Sequence, residues 1–248
     1  MNRRLGALLG ITGLLVSSAQ AQLVLKADDV VLLAGGTNMV RLQQAGHFEA
    51  ILTDQSAKLK PRFRDLSWEA DTVFRQGTIK ERWRKDGFGE RNEQFKRVGA
   101  TLVIAQFGRI ESMAGEAGLA RFVKAYNDLI SGYQTQTKRV VLVSPTPFEK
   151  PPNPLVPDVS KHNGSLALYV AATKKIAAER SLLFVDLFTG AKAGLTDNGM
   201  HTRPEYQRHI AEVMAKQLGI TPAAEAELEG LRAAVIEKHR LWIDYWRP

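Results

Sequence analysis

Apolar residues recur along this chain in two different rhythms. Residues 30–34, 102–107 and 140–143 are short apolar runs rich in Val, Leu, Ile, Ala or Phe, and 182–187 is a fourth. Runs without polar alternation are what strands carry when both faces of their sheet are covered. Residues 64–66 offer a shorter strand. Between these runs, residues 38–52, 88–97, 118–133, 164–179 and 203–218 place apolar side chains at a spacing near 3.6 and predict helices. Asn163 is placed to cap the fourth helix, and Gly219-Ile220-Thr221-Pro222 stops the fifth. Strand and helix alternate, so the pattern predicts an open, doubly wound α/β sheet with helices on both faces. Ligands of such sheets bind beyond the carboxyl ends of the strands. The loops after Ala34, Phe107, Val143 and Leu187 are therefore where chemistry is expected.

The two ends break the pattern. Arg3 and Arg4 precede an apolar stretch at 5–16, and Ala19-Gln20-Ala21 supplies a small-x-small cleavage site. These are the three parts of a secretory signal peptide. The apolar stretch falls short of the roughly 20 residues that cross a bilayer, although an uncleaved anchor is the competing reading. No later segment approaches that length. The expected layout is a signal peptide at 1–21, one domain at 22–220 and a C-terminal extension at 221–248, in a periplasmic or secreted protein. Within the extension, residues 223–240 predict a helix. Trp242, Tyr245 and Trp246 follow it, and their apolar rings predict packing on the domain or on a partner. Residues 149–161 hold four of the ten prolines and predict an extended loop.

Composition narrows the function classes. The chain has 248 residues, 44% hydrophobic and 24% charged, which is ordinary for a globular protein and excludes collagen-like, disordered and polytopic membrane classes. It has no cysteine, which excludes disulfides, a thiolate nucleophile and Cys-ligated metal sites. The formal charge of +8 becomes +6 without Arg3 and Arg4, from 32 Lys and Arg against 26 Asp and Glu. Apart from 80–84, the basic residues are scattered. That reads as a solvated surface, and no nucleic-acid partner is expected. No metal is expected either, because the histidines form no His-Glu-x-x-His pattern and His201 and His209 read as surface residues. No cofactor is expected. A phosphate-binding Gly-x-x-x-x-Gly-Lys-Ser/Thr loop is missing, and Gly35-Gly36 lacks the third glycine of a dinucleotide fingerprint.

Two loops carry candidate chemistry. Ala34-Gly35-Gly36-Thr37-Asn38 joins the first strand to a helix, an elbow that can present the Thr37 hydroxyl beside helix N-terminal amides. The plain alternative is a turn and a helix cap. Near the other end, Leu195-Thr196-Asp197-Asn198-Gly199-Met200-His201 places a histidine after an acid and an amide, as a general base and its orienting partner would lie. Glu111 and Asp71 are further acids close to these loops, and ion pairs with Arg109 or Arg75 are their expected roles.

Together these blocks make the chain similar to the SGNH (GDSL-like) hydrolase superfamily from Asp29 to Leu218, most closely to a divergent exported bacterial branch. The resemblance implies a three-layer α/β/α sandwich of flavodoxin-like type, with a central parallel sheet of about five strands. It also implies ester hydrolysis by a hydroxyl nucleophile, a histidine and a preceding acid. Residue by residue, Thr37 stands at the nucleophile and Gly36 where an acid or amide is usual. Asp65-Leu66-Ser67-Trp68-Glu69-Ala70-Asp71 resembles the second block, with Ala70 at the oxyanion glycine. Phe107-Gly108-Arg109-Ile110-Glu111 resembles the third, with Ile110 replacing the oxyanion asparagine. His201 stands at the base. Asn198 occupies the position of its acid, with Asp197 one residue early. Residues 112–118 and 143–149 are implied to border the same site. The stretch from Lys238 to Pro248 resembles a region that continues in relatives, which implies a shortened chain or an interrupted gene.

Two functions follow from this reading. One is an exported esterase or deacylase with a degenerate site, acting on small-molecule, lipid or polysaccharide esters; acyl transfer to a sugar hydroxyl is a variant of it. The other is an inactive binding or scaffolding module for cell-envelope or polysaccharide material. Residues 77–89 and 149–161 are expected to set specificity.

Overall fold

The computed structural model describes residues 22–74 and 91–246, without the side chains of 91, 92, 245 and 246. The expected signal peptide, the basic run at 80–84, Arg75 and the 77–89 loop lie outside the described residues.

Five parallel strands form one sheet in the order β2-β1-β3-β4-β5. They are β1 (Val30–Gly35), β2 (Arg62–Asp65), β3 (Leu102–Gln106), β4 (Val140–Val143) and β5 (Leu183–Val185). The strands β1, β3 and β4 are buried at every residue, which is why their sequences show no alternation. β2 lies at an edge and does alternate, with Phe63 and Asp65 buried and Arg62 exposed. Both edge strands differ in length from their expected runs. β2 covers 62–65 rather than 64–66, and β5 covers 183–185 rather than 182–187.

Helices cover both faces. One face carries α1 (Thr37–Ala45), α2 (His47–Gln55), α6 (Gln207–Gln217) and α7 (Glu225–Trp246). There Met39, Phe48, Ile51, Met214 and Leu228 pack on Val31, Leu33, Ile104 and Val141. The other face carries α3 (Arg91–Val98), α4 (Leu119–Tyr133) and α5 (Asn163–Glu179). Phe95, Phe122, Tyr126, Ile130 and Tyr169 pack there on Leu32, Val103, Ala105 and Leu142. Each buried large side chain contributes roughly 1.5–3 kcal/mol of burial free energy. The three-layer α/β/α sandwich is thus held through both sheet faces.

Two expectations need correction. The segment 38–52 is not one helix. Gly46 takes φ 73, and a side chain there would press on Ile236 and Val235 of α7, so the chain turns at this point into α1 and α2. Nor is Asn163 an N-cap. It is the first residue of α5, and its side chain accepts from the Phe148 amide at 2.8 Å and donates to the Phe148 carbonyl at 2.9 Å. It pins the loop after β4 instead of the helix end. The C-terminal helix is also longer than expected, running through the aromatic stretch to Trp246. Lys238 is paired with Glu49 of α2, and His239 Nε2 lies 3.0 Å from the same carboxylate.

Candidate active site

The strands are parallel, so their carboxyl ends gather the loops after β1, β2, β3, β4 and β5 at one edge. A narrow cleft opens there, with a volume of about 30 Å³. Thr37, His201, Gly36 and Ile110 line it together with Asp71, Arg109 and Glu111. Residues 164 positions apart are brought to one place by the sheet alone.

The elbow after β1 is built by close approach. A Cβ on Gly35 would lie 2.6 Å from the Gln106 carbonyl oxygen and 2.6 Å from Met39 Cγ. Only glycine lets β1 pass β3 and turn at once into α1. Gly36 is the N-cap residue, and its carbonyl accepts from the Met39 and Val40 amides at 2.9 and 3.2 Å. Thr37 is then the first residue of α1, where backbone N–H groups have no partner within the helix. Its hydroxyl accepts a 3.1 Å bond from the Ala70 amide. Ala70 holds φ 56, the left-handed conformation that glycine adopts most readily. That conformation fits the glycine position to which the resemblance assigns it.

Of the two candidate partners, Asn198 is the one that meets the His201 ring. Its Oδ1 accepts from the amides of Met200 and His201, at 3.1 and 3.0 Å. These two donors fix which end of the amide is which. Nδ2 is therefore the group that lies 3.0 Å from His201 Nδ1, and it donates. A neutral imidazole that accepts at Nδ1 carries its proton on Nε2. Asp197, the other candidate, points elsewhere and forms a 2.9 Å ion pair with Arg41 of α1. Burial pushes the Asp197 carboxyl up, but the bond and charge of Arg41 outweigh this and hold it below the usual range. Burial and the Arg41 charge hold His201 below the ordinary imidazole value, with Asp197 opposing.

Of the acids near the site, Glu111 departs from its expected pairing. Glu111 does not meet Arg109. Its carboxylate accepts from the Val73 amide at 2.8 Å and the Gly108 amide at 2.9 Å, tying the loop after β2 to the loop after β3. Burial pushes this carboxyl above its usual range despite those two bonds. Arg75 lies outside the described residues. Ile110 is 37% exposed at the cleft and presents no donor.

Several supporting residues carried no signal in the sequence. Asn38 Nδ2 donates to the Met200 carbonyl at 3.5 Å, and Asn38 Oδ1 accepts from the Thr202 amide at 3.4 Å. Arg41 donates to the Thr202 carbonyl at 3.1 Å. The helix that begins with Thr37 is thereby stitched to the loop that carries His201. Glu149 accepts from the Leu195 and Thr196 amides at 3.0 and 2.8 Å and from the Thr196 hydroxyl. These contacts link residues far apart in sequence, so no local pattern announces them.

The sheet order and the helices on its two faces form an SGNH (GDSL-like) hydrolase-like fold. Solved structures with this architecture include a putative GDSL-like lipase from Parabacteroides merdae, with TM-score 0.59 and 12% identity over 80% of this chain and 99% of that one. A catalytic mutant of an acetylxylan esterase from Geobacillus stearothermophilus matches with TM-score 0.58 and 16% identity, over 81% of this chain and 99% of that one. A gut microbial diltiazem-metabolizing enzyme matches with TM-score 0.62 and 14% identity over 81% of this chain, which spans 48% of that longer one. No protein-family model matches the sequence, and no curated protein matches it.

Proposed function

We propose that this protein is a slow, exported hydrolase of small acyl esters carried on carbohydrate or lipid. The observation that carries the reading is the Thr37 hydroxyl, held by the Ala70 amide at 3.1 Å in the cleft that His201 also lines. Thr37 Oγ1 attacks the acyl carbonyl and His201 takes its proton. The backbone amides of Gly36, Thr37 and Ala70 receive the oxyanion. The carbonyl re-forms, the alcohol leaves with the proton from His201, and water releases the acyl group by the same route.

The same geometry predicts that turnover is slow. To act as a base through Nε2, His201 must first move its proton to Nδ1, against the Asn198 donor. The corresponding acid-to-amide change in a serine protease lowers turnover by about 10⁴-fold. Ile110 removes one oxyanion donor, a loss of about 10²–10³ in subtilisin. The small cleft favours an acetyl group over a long acyl chain. The acetylxylan esterases among the structural neighbours support a carbohydrate acetyl ester as substrate.

Fluorophosphonate labelling followed by peptide mapping tests this. Label on Thr37, lost in Thr37→Ala and in His201→Ala, is the expected result. Undiminished p-nitrophenyl acetate hydrolysis by Thr37→Ala would sink it. A second reading is a binding module for polysaccharide or envelope material. It is favoured by the Nε2–H form of His201, which is a donor, and by the apolar Ile110. Affinity for acetylated polysaccharide with no label on folded protein would select that reading.

A further inference from the structure

Arg109 is a buried polar residue of the cleft with several partners. It is 9% exposed, yet among the described residues its charge meets no carboxylate at hydrogen-bond distance. One guanidinium nitrogen donates to the Met200 carbonyl, immediately before His201. Another donates to the carbonyl and the hydroxyl of Thr146, in the loop after β4. The guanidinium carbon lies 5.3 Å from the centre of the Phe148 ring, and Nε is buried without a partner among the described residues. Burial pulls this group down to about 10, with the Glu149 charge opposing.

A buried cation costs several kcal/mol of desolvation before its contacts offset any of it. A neutral or apolar side chain would serve packing at lower cost. What Arg109 supplies is a planar fork that spans two loops from one side chain. The contacts join the ends of three strands, β3 through Arg109 itself, β4 through Thr146 and β5 through Met200. Asn38, one residue after Thr37, reaches the same Met200 carbonyl.

We infer that Arg109 is the positioning residue of the cleft: by binding the Met200 and Thr146 carbonyls at once, it sets where the His201 imidazole stands relative to the Thr37 elbow. This rests on the hydrolase reading for its effect on rate, but not for its effect on His201. Among the described residues, four charged groups act on the imidazole. Arg41 on α1 and Arg109 disfavour its protonation, and Asp197 and Glu69 favour it. Removing Arg109 therefore moves the His201 titration upward, while Arg109→Lys keeps the charge and loses the fork.

The test uses Arg109→Met and Arg109→Lys on the mature protein, with two readouts. The first is turnover of p-nitrophenyl acetate against pH. Arg109→Met should lose about 10²-fold in kcat with little change in KM, as expected of misplacement without lost binding. The acid limb of its profile should move to higher pH. Arg109→Lys should lose kcat while its acid limb stays in place. The second readout is the imidazole titration of His201 followed by NMR and assigned by comparison with His201→Ala. It needs no activity, so it stands even if the wild type turns over nothing. An upward shift in folded Arg109→Met, together with displaced His201 imidazole signals in Arg109→Lys, supports the inference. Folded Arg109→Met with an unmoved His201 titration overturns it, and so does wild-type kcat in that variant. If Arg109→Met does not fold, Thr146→Val removes one acceptor of the fork and leaves the charge. A kcat for Thr146→Val equal to wild type would then overturn the inference.

Discussion

The chemistry of this site turns on which end of one amide faces an imidazole. Asn198 spends its oxygen on two backbone amides and leaves its nitrogen for His201. A carboxylate at the same place could accept from those amides and from an Nδ1–H together, because both of its oxygens are acceptors. Asn198→Asp should therefore raise kcat/KM on p-nitrophenyl acetate, by up to about 10⁴-fold if the proton position alone limits the rate. A variant no faster than wild type would place the limit at Thr37 or Ile110 instead. Thr37→Ser is expected to help as well, since the β-branched methyl restricts χ1 at the elbow. The check is the rate of p-nitrophenolate release under single-turnover conditions. Ala70 shows how a departure from glycine can be tolerated: its amide still reaches Thr37 despite φ 56.

Beyond the two packed sheet faces, single residues fix how some elements join. Gly46 separates α1 from α2 where α7 crosses them, with Ile236 Cγ1 3.2 Å and Val235 Cγ1 3.3 Å from the position of a Cβ. Gly46→Ala would hold a left-handed backbone and crowd α7 at once. A loss of about 1–3 kcal/mol is expected, read from the urea midpoint. The histidine loop depends on Glu149 in a similar way. Glu149→Gln turns an acceptor-only group into one that presents a donor to the Leu195 and Thr196 amides. That should cost about 1–3 kcal/mol, and protease cutting within 195–201 should rise before global unfolding.

At the scale of the whole molecule, several shifted histidines and carboxyls move downward. His47, His201 and His209 are held below the ordinary imidazole value, chiefly by burial. The unfolded chain then binds protons before the folded one does, so stability falls as pH drops through the ordinary histidine range. Asp29, Glu149 and Asp197 are held below the carboxylate range, because bonds from Arg139 and Thr101, from Thr196 and Leu195, and from Arg41 outweigh burial. Their contribution is present above the ordinary carboxylate value and is lost as pH falls through the folded one. Glu111 opposes this, since burial favours its protonated form. Melting temperature is expected to decline in two stages, between about pH 7 and 5.5 and again below about pH 4. A flat profile from pH 8 to 5 would contradict the histidine contribution.

The chain's own pattern determined the fold class. Uninterrupted apolar runs such as 30–34 are best satisfied by a sheet covered on both faces, and amphipathic segments between them supply the cover. It also singled out Thr37 and His201, which line one cleft, because each sits in a local motif in a loop after a strand. The edge strands and the break at Gly46 were less legible. Their limits depend on neighbours, on β1 alone for β2 and on α7 for Gly46. Only the tertiary structure decided that Asn198 and not Asp197 meets His201, that Glu111 binds amides rather than Arg109, and that Arg109 and Glu149 hold the histidine loop. These choices depend on which donors stand within 3 Å once five loops converge at one sheet edge. Sequence separation carries no information about that distance, so the machinery around Thr37 and His201 became visible only in the folded chain.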